Sequence, residues 1–426
     1  MKTLNISIEI EGKENFVGKI EGNSAQDATF TYSKEYLESG HSPISISLPL
    51  QKGPFSPDAT ANFFEGLLPE GFARKSVSDW LHASEDDYLT ILQALGEECL
   101  GAIRVYGEKG SSSADYEELT LERVKALARE GISETTEMVV EAHLSLTGAS
   151  GKVGLYYEES SGKWYLPKGT APSTHIVKQS HVRLGKIVTN EQLCMMTAKA
   201  LGLEVPESFI VNMGSAEEGD VLFATKRYDR VFTKACANVG TIPRPLRLHQ
   251  EDFAQALGIP AKEKYEQGGG LYLKKVFEVV KNYCLDPISD IQKLWDIIVF
   301  DFLVGNTDNH IKNISLLYTP DMRGVRLAPA YDIVSTCVYK ESSRMTAIGI
   351  GGEFDINKIG LSEFAAAAQE AGLAKKLATE RLENMASHFE KALKDSARLL
   401  EEKGFIGARG IGEDILKTGG YKNLDI

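Results

Sequence analysis

The first 33 residues alternate between apolar and polar positions with a period of two. Leu4, Ile6, Ile8 and Ile10 share one face. Phe16, Gly18 and Ile20 follow, then Ala28, Phe30 and Tyr32. Turn residues at 11–13 and 21–23 separate the runs, so the pattern predicts a small antiparallel meander. A short extended piece is expected at 44–49, a break at 62–71, helices over 72–82 and 87–95, and a strand over 100–106. A Gly/Ser tract at 107–113 has linker composition and leads into a helix. Further strands are expected at 164–167 and 173–178. A helix over 190–202 ends at Gly202, and strands follow at 208–213 and 220–226. From about residue 247 the pattern becomes helical, over 250–257, 271–284, 288–304, 361–372 and 374–402. The glycine-bearing stretch 346–352 reads as flexible. The resulting organisation is an α+β subdomain over 1–107, a linker and helix over 108–142, a strand-rich lobe over 143–232 and a helical lobe over 233–426.

The apolar segment 294–303 runs into a polar loop, 304–313, and a strand-like run at 314–318 follows. A polar loop held between apolar elements is a place to display side chains. Asp308 and Asn313 stand there at the D-x-x-x-x-N spacing of phosphoryl-transfer catalytic loops, where the Asp accepts a hydroxyl proton and the Asn helps hold magnesium. The same spacing also arises from ordinary loop Asp and Asn, which cap and turn. A second run, 324–327, follows the turn residues 319–324 and precedes Asp332. That hairpin would return Asp332 beside Asn313, and such oxygen donors suit magnesium.

Elsewhere the chemistry is more open. The stretch 144–157 reads as two strands flanking a Gly/Ser loop, in which Gly148 and Gly151 would let backbone N–H groups approach a phosphate. It matches neither G-x-x-x-x-G-K-[ST] nor G-x-G-x-x-G, and a plain hairpin turn reads equally well. Lys178 closes an apolar run, so it either meets an anion inside the lobe or snorkels to water. Glu191 either pairs with Lys178 or simply favours the first turn of its helix. Extended backbone at 226–230 could serve an adenine edge.

Composition narrows the classes. At 426 residues the chain suits two or three lobes. A net charge of -13 argues against autonomous nucleic-acid binding. The five scattered cysteines have no C-x-x-C spacing and read as reduced core thiols. No signal peptide or long apolar run is evident, so a cytoplasmic protein without a membrane span is expected.

Taken with the segments 45–50, 63–71, 167–169, 172–178, 247–252 and 264–266, these residues resemble the HipA family over nearly the full length. Its members are bacterial serine/threonine kinases acting as toxins of type II toxin–antitoxin pairs. The resemblance implies an α+β, two-lobed protein-kinase-like fold with an N-terminal α+β subdomain and a mostly helical C-lobe. It implies ATP and Mg2+ as cofactors. Asp308 would be the catalytic base, and Asn313 and Asp332 the metal ligands. Thr147, Gly148, Ala149, Ser150, Gly151 and Lys152 would form the phosphate loop, and Lys178 would meet the phosphates. Lys226, Arg227 and Tyr228 would form the adenine-contacting hinge. His310, Ile311 and Lys312 would support the phosphate end, with Tyr331 preceding Asp332 at the site. Ser145 matches the serine that relatives autophosphorylate. The implied partners are a protein substrate, in relatives including aminoacyl-tRNA synthetases, and a small helix-turn-helix antitoxin of the HipB type, with DNA reached only through it. The chain departs from the usual pattern at 148–152 and at Asn309. A catalytically silent antitoxin-binding corepressor and a small-molecule kinase are the competing functions.

Overall fold

The computed structural model describes residues 1–107, 113–129, 132–141, 151–180, 184–234 and 236–424. The chain divides into two units, neither of them continuous in sequence. Unit 1 comprises Met1–Gln179, Ala224–Ala261 and Leu316–Val325; unit 2 comprises Ser180–Phe223, Lys262–Ser315 and Arg326–Ile426. Helices and sheets are mixed, as an α+β chain requires. Among the described residues no helix is long and apolar enough to cross a membrane.

Unit 1 opens with the expected meander. Thr29–Tyr32, Lys13–Gly22, Lys2–Ile10 and Ile103–Tyr106 lie side by side, all antiparallel. Leu4, Ile6, Ile8 and Ile10 are buried as the alternation predicts, but Phe16 is 39% exposed and Val17 is buried instead. The register between the first two strands shifts at Ile6 and Ser7. Such a bulge admits one extra residue and turns the period-two pattern over. Helices Gly71–Trp80 and Tyr88–Leu95 form where expected. The helix Pro57–Phe64 runs into the break expected at 62–71 and starts at a capping Ser56 whose side chain accepts from Ala59 N–H, with proline in the first turn. A second sheet holds Asp115–Glu118, Lys163–Lys168, Lys152–Glu158 and His175–Gln179 in that order. The expected helix over 250–257 is shorter. Gln250–Asp252 is a strand, and Asp252 and Gln255 form a capping box that starts the helix Phe253–Leu257.

A buried ionic network ties these pieces together. Glu98 Oε1 accepts from Arg227 Nη1 at 3.1 Å, Arg230 Nη2 at 2.9 Å and Ser173 N at 3.0 Å. Its Oε2 accepts from Arg247 Nε at 2.9 Å and Nη2 at 2.5 Å. Asp229 bridges Arg227, Arg230 and the Gly101 N–H. Glu9 accepts from the Arg247 N–H at 2.9 Å and pairs with the Arg247 and Arg244 guanidiniums. Burial alone would raise the Glu98 pKa, but the guanidiniums of Arg230, Arg247 and Arg227 outweigh it and hold it well below the usual carboxylate range.

A second buried carboxylate does the opposite. Glu251 accepts from Ser45 Oγ at 2.5 Å, Tyr318 Oη at 2.6 Å and the Ile46 N–H at 3.2 Å. Ser47 Oγ donates to Gln255 O at 2.6 Å, and Gln255 Nε2 to Phe63 O at 3.0 Å. The segment 44–48 is thereby docked onto 249–255. Among the described residues no cation faces Glu251, and burial pushes its pKa up to about 7 against the pull of these donors.

Unit 2 is mostly helical. Its described helices include Ile187–Ala200, Tyr272–Tyr283, Pro287–Val304, Leu361–Glu370, Lys375–Glu402 and Ala408–Thr418. Pro287–Val304 is its central rod, buried along most of its length. Trp295 Nε1 donates to Ala378 O at 3.2 Å, and the Phe302 and Phe364 rings meet at 5.0 Å. The stretch 346–352, expected to be flexible, instead forms most of a hairpin, Met345–Ile350 with Glu353–Asp355. Ala347, Ile348 and Ile350 are buried, and Gly351 and Gly352 have the positive φ its turn needs.

Two outcomes follow. Glu98→Gln leaves buried guanidiniums short of a counter-charge and should destabilise the chain by about 3–5 kcal/mol, read from urea unfolding. Glu251 behaves in the other sense. Its folded pKa of about 7 exceeds its ordinary 4.5, so its contribution is full below the lower value and is lost as pH rises through the higher. Glu251→Gln should therefore gain stability relative to the parent chain as pH rises through that window, then hold a constant difference; a flat difference throughout would refute the assignment.

Candidate active site

The loop that carries Asp308 is built from the end of the helix Pro287–Val304. Gly305 terminates that helix at φ 75, and its N–H donates to Phe302 O at 3.1 Å. A Cβ at this position would lie 2.8 Å from Cys337 Cβ and 2.9 Å from Gly419 Cα. Both the conformation and the close approach therefore require glycine. Gly305 O in turn accepts from the N–H groups of Thr336 and Cys337, each at 3.0 Å.

A buried carboxylate shapes the next turn. Asp301 accepts from Asn306 Nδ2 at 2.8 Å and from Asn309 Nδ2. Burial raises its pKa to about 7 while the two amides pull the other way. Thr307 N–H donates to Thr336 Oγ1 at 2.8 Å, and Thr307 Oγ1 to Ser343 O at 3.0 Å. Asp308 N–H donates to Asn306 Oδ1 at 3.1 Å. Its neighbours Thr307, Asn309 and His310 are buried, and Asp308 itself is exposed. The loop is thus clamped on both sides of one outward carboxylate, the form a reacting group requires.

Asn313 is brought back onto this residue. Its Nδ2 donates to Asp308 O at 3.0 Å, so the amide oxygen is the end left to act as a donor atom to a metal. His310, Ile311 and Lys312 are buried. Tyr331 Oη donates to Lys312 O at 2.9 Å and meets Ser315 Oγ at 2.6 Å. That contact fixes the segment leading to Asp332, whose φ of 58 is rare outside glycine and Asn/Asp. The hairpin expected between Asn313 and Asp332 is present, with Ser315–Tyr318 beside Val325–Leu327. Its turn closes through Thr319 N–H to Gly324 O at 2.9 Å.

The other predicted site residues belong to unit 1. Lys178 is buried on His175–Gln179, in register with Lys152 on the neighbouring strand. Gly151 is buried just before that strand. Lys226 pairs with Glu159 at 3.0 Å. Arg227 has its guanidinium committed to the Glu98 network, and its N–H donates to Thr174 O at 2.9 Å. Tyr228 Oη donates to Gln250 Oε1. Ser145, Thr147, Gly148, Ala149 and Ser150 lie outside the described residues. Two features of the site were not read from the sequence. One is Asp301, although an Asp inside so apolar a helix was a signal for a buried hydrogen-bond hub. The other is Tyr265, whose hydroxyl reaches Asp308 and which no spacing rule links to it.

Comparison with known proteins gives a consistent picture. The HipA N-terminal domain model matches residues 8–106, and the HipA-like C-terminal domain model matches residues 144–393. A putative kinase, Y4mE, from Sinorhizobium fredii is 32% identical over 90% of each chain. The serine/threonine-protein kinase toxin HipA of Shewanella oneidensis is 29% identical over 93% of this chain and 90% of its own. A solved complex of Shewanella oneidensis HipA, HipB and operator DNA contains a chain that superposes with a TM-score of 0.79. That chain is 26% identical, with 97% of this chain and 96% of the other covered.

Asp301→Ala leaves two buried amides without their acceptor. It should cost about 1–3 kcal/mol and accelerate amide exchange at residues 306–310. Unchanged exchange there would show that the loop is held by other contacts.

Proposed function

The chain belongs to the HipA family, and from that premise we propose that it is a magnesium- and ATP-dependent serine/threonine protein kinase acting as the toxin of a type II toxin–antitoxin pair. The observation that carries the reading is the single exposed carboxylate, Asp308, on a loop otherwise locked in place. In this reading the acceptor hydroxyl gives its proton to Asp308 as its oxygen bonds to the γ-phosphorus, and the bond from that phosphorus to the ADP oxygen breaks. Little covalent chemistry is left to the protein beyond positioning and charge.

Asn313 and Asp332 are the residues that would hold magnesium. Hard oxygen donors fit that ion, and Asn313 already has its N–H end turned onto Asp308 O. When bound, the metal would neutralise charge on the phosphates. Lys178, buried on the strand His175–Gln179, is the cation assigned to those phosphates, as the family resemblance of 172–178 implies. At the hinge, the committed Arg227 guanidinium leaves adenine recognition to the main chain near Lys226 and Tyr228. Gly151 and Lys152 close the proposed phosphate loop, and Ser145 is the proposed self-modification site. A small HipB-like antitoxin is the proposed partner, because the Shewanella relative was solved with HipB and operator DNA. The protein substrate is a serine or threonine hydroxyl, with an aminoacyl-tRNA synthetase as the first candidate.

The test is mass spectrometry of the full chain after incubation with Mg-ATP, beside Asp308→Asn. One added phosphate at Ser145 on the wild type alone is the expected result. Transfer should fall roughly 10²–10⁴-fold in the variant, while calorimetry finds ATP binding retained. Wild-type transfer by Asp308→Asn would sink the assignment. ATP binding without transfer to itself or to a protein acceptor would favour the silent corepressor.

A further inference from the structure

The segment 264–266 lies beside the catalytic loop within unit 2, and the proposed mechanism gives it no part. Its main chain is held firmly. Glu266 N–H donates to Ala347 O at 2.8 Å. The Glu266 carboxylate accepts from Gly349 N–H at 2.9 Å and from Tyr272 N–H at 3.2 Å. From this support Tyr265 reaches the catalytic carboxylate, its hydroxyl donating to Asp308 Oδ1 at 2.6 Å. The ring stands edge-on to His310 at 5.1 Å, and the Lys264 ammonium lies 5.4 Å from its centroid. Tyr265 is 44% exposed, so packing alone does not account for its direction.

We propose that Tyr265 is a positioning residue for phosphoryl transfer, its hydroxyl fixing the rotation of the Asp308 carboxylate. The inference rests on the kinase reading of Asp308. The terminal torsion of an Asp is broad and roughly two-fold, so an exposed carboxylate samples orientations that a reacting hydroxyl cannot use. A short, charge-assisted hydrogen bond selects one of them. Misplacing a reacting group by about an ångström costs up to roughly 10²-fold in rate, so the selection matters to turnover rather than to nucleotide binding. The ring has a separate task, bracing His310 within the loop.

The experiment measures steady-state ADP formation and radiolabel incorporation from Mg-ATP for the full chain, Tyr265→Phe, Tyr265→Leu and Asp308→Asn. Tyr265→Phe keeps the ring and removes only the hydroxyl. Its kcat should fall roughly tenfold, with KM for ATP and the unfolding temperature unchanged. Tyr265→Leu should fall at least as far. In the Asp308→Asn background, Tyr265→Phe should add no further loss. A wild-type kcat in Tyr265→Phe overturns the proposal. So does a rise in kcat, which would make the hydroxyl an obstacle the acceptor displaces. A loss accompanied by a raised KM or a lowered unfolding temperature overturns it in favour of a structural role. Should Asp308→Asn keep full turnover, or the wild type show none, the kinase reading itself fails and the proposal with it.

Discussion

Glu98 accepts hydrogen bonds from three arginines in a site that water does not reach. Those arginines come from residues 227–247, while Glu98 comes from the first hundred residues. Removing any one partner leaves a buried charge uncompensated, so the pieces of unit 1 are obliged to meet in one arrangement. The consequence reaches the proposed site. Ser173, just before the strand that carries Lys178, donates to the same carboxylate. Arg227, in the proposed hinge, is held by it on one side and by Asp229 on the other. Charge pairing therefore sets the start of the Lys178 strand and the exit of the hinge.

Unit 2 solves the same problem without arginine. Among the described residues no cation pairs with Asp301, which is answered by two amides, and burial outweighs them and raises its pKa. The result is still a rigid loop, because each amide belongs to a loop residue flanking Asp308. A glycine that no other residue could replace sets where that loop leaves the helix. Asn309 is one of the two amides. In this chain its role is structural, as part of the Asp301 clamp.

Much of the fold could be read from periodicity. The meander, the long helices and the hairpin beyond Asn313 are local consequences of spacing, turn chemistry and caps. Phe16 was misplaced because a bulge is a property of two paired strands, and one strand's pattern does not contain it. The stretch 346–352 was misread because its glycines look like slack until the neighbouring strand and Glu266 are seen to bind it. The contact between Asn313 and Asp308 and the hairpin leading to Asp332 were legible because loop spacing and turn chemistry are local. Tyr265 lies more than forty residues upstream of Asp308, and no local rule connects them.

By itself the sequence determined most of the local elements and the family, because both are written in short-range order. Only the tertiary structure decided that 224–261 and 316–325 fold with the first 179 residues. It also decided that Arg227 answers a buried glutamate and that a tyrosine lies against the Asp308 carboxylate. Those are meetings between distant parts of the chain. They are settled by where desolvated charges and hydrogen-bonding groups find partners, which spacing along the chain does not record.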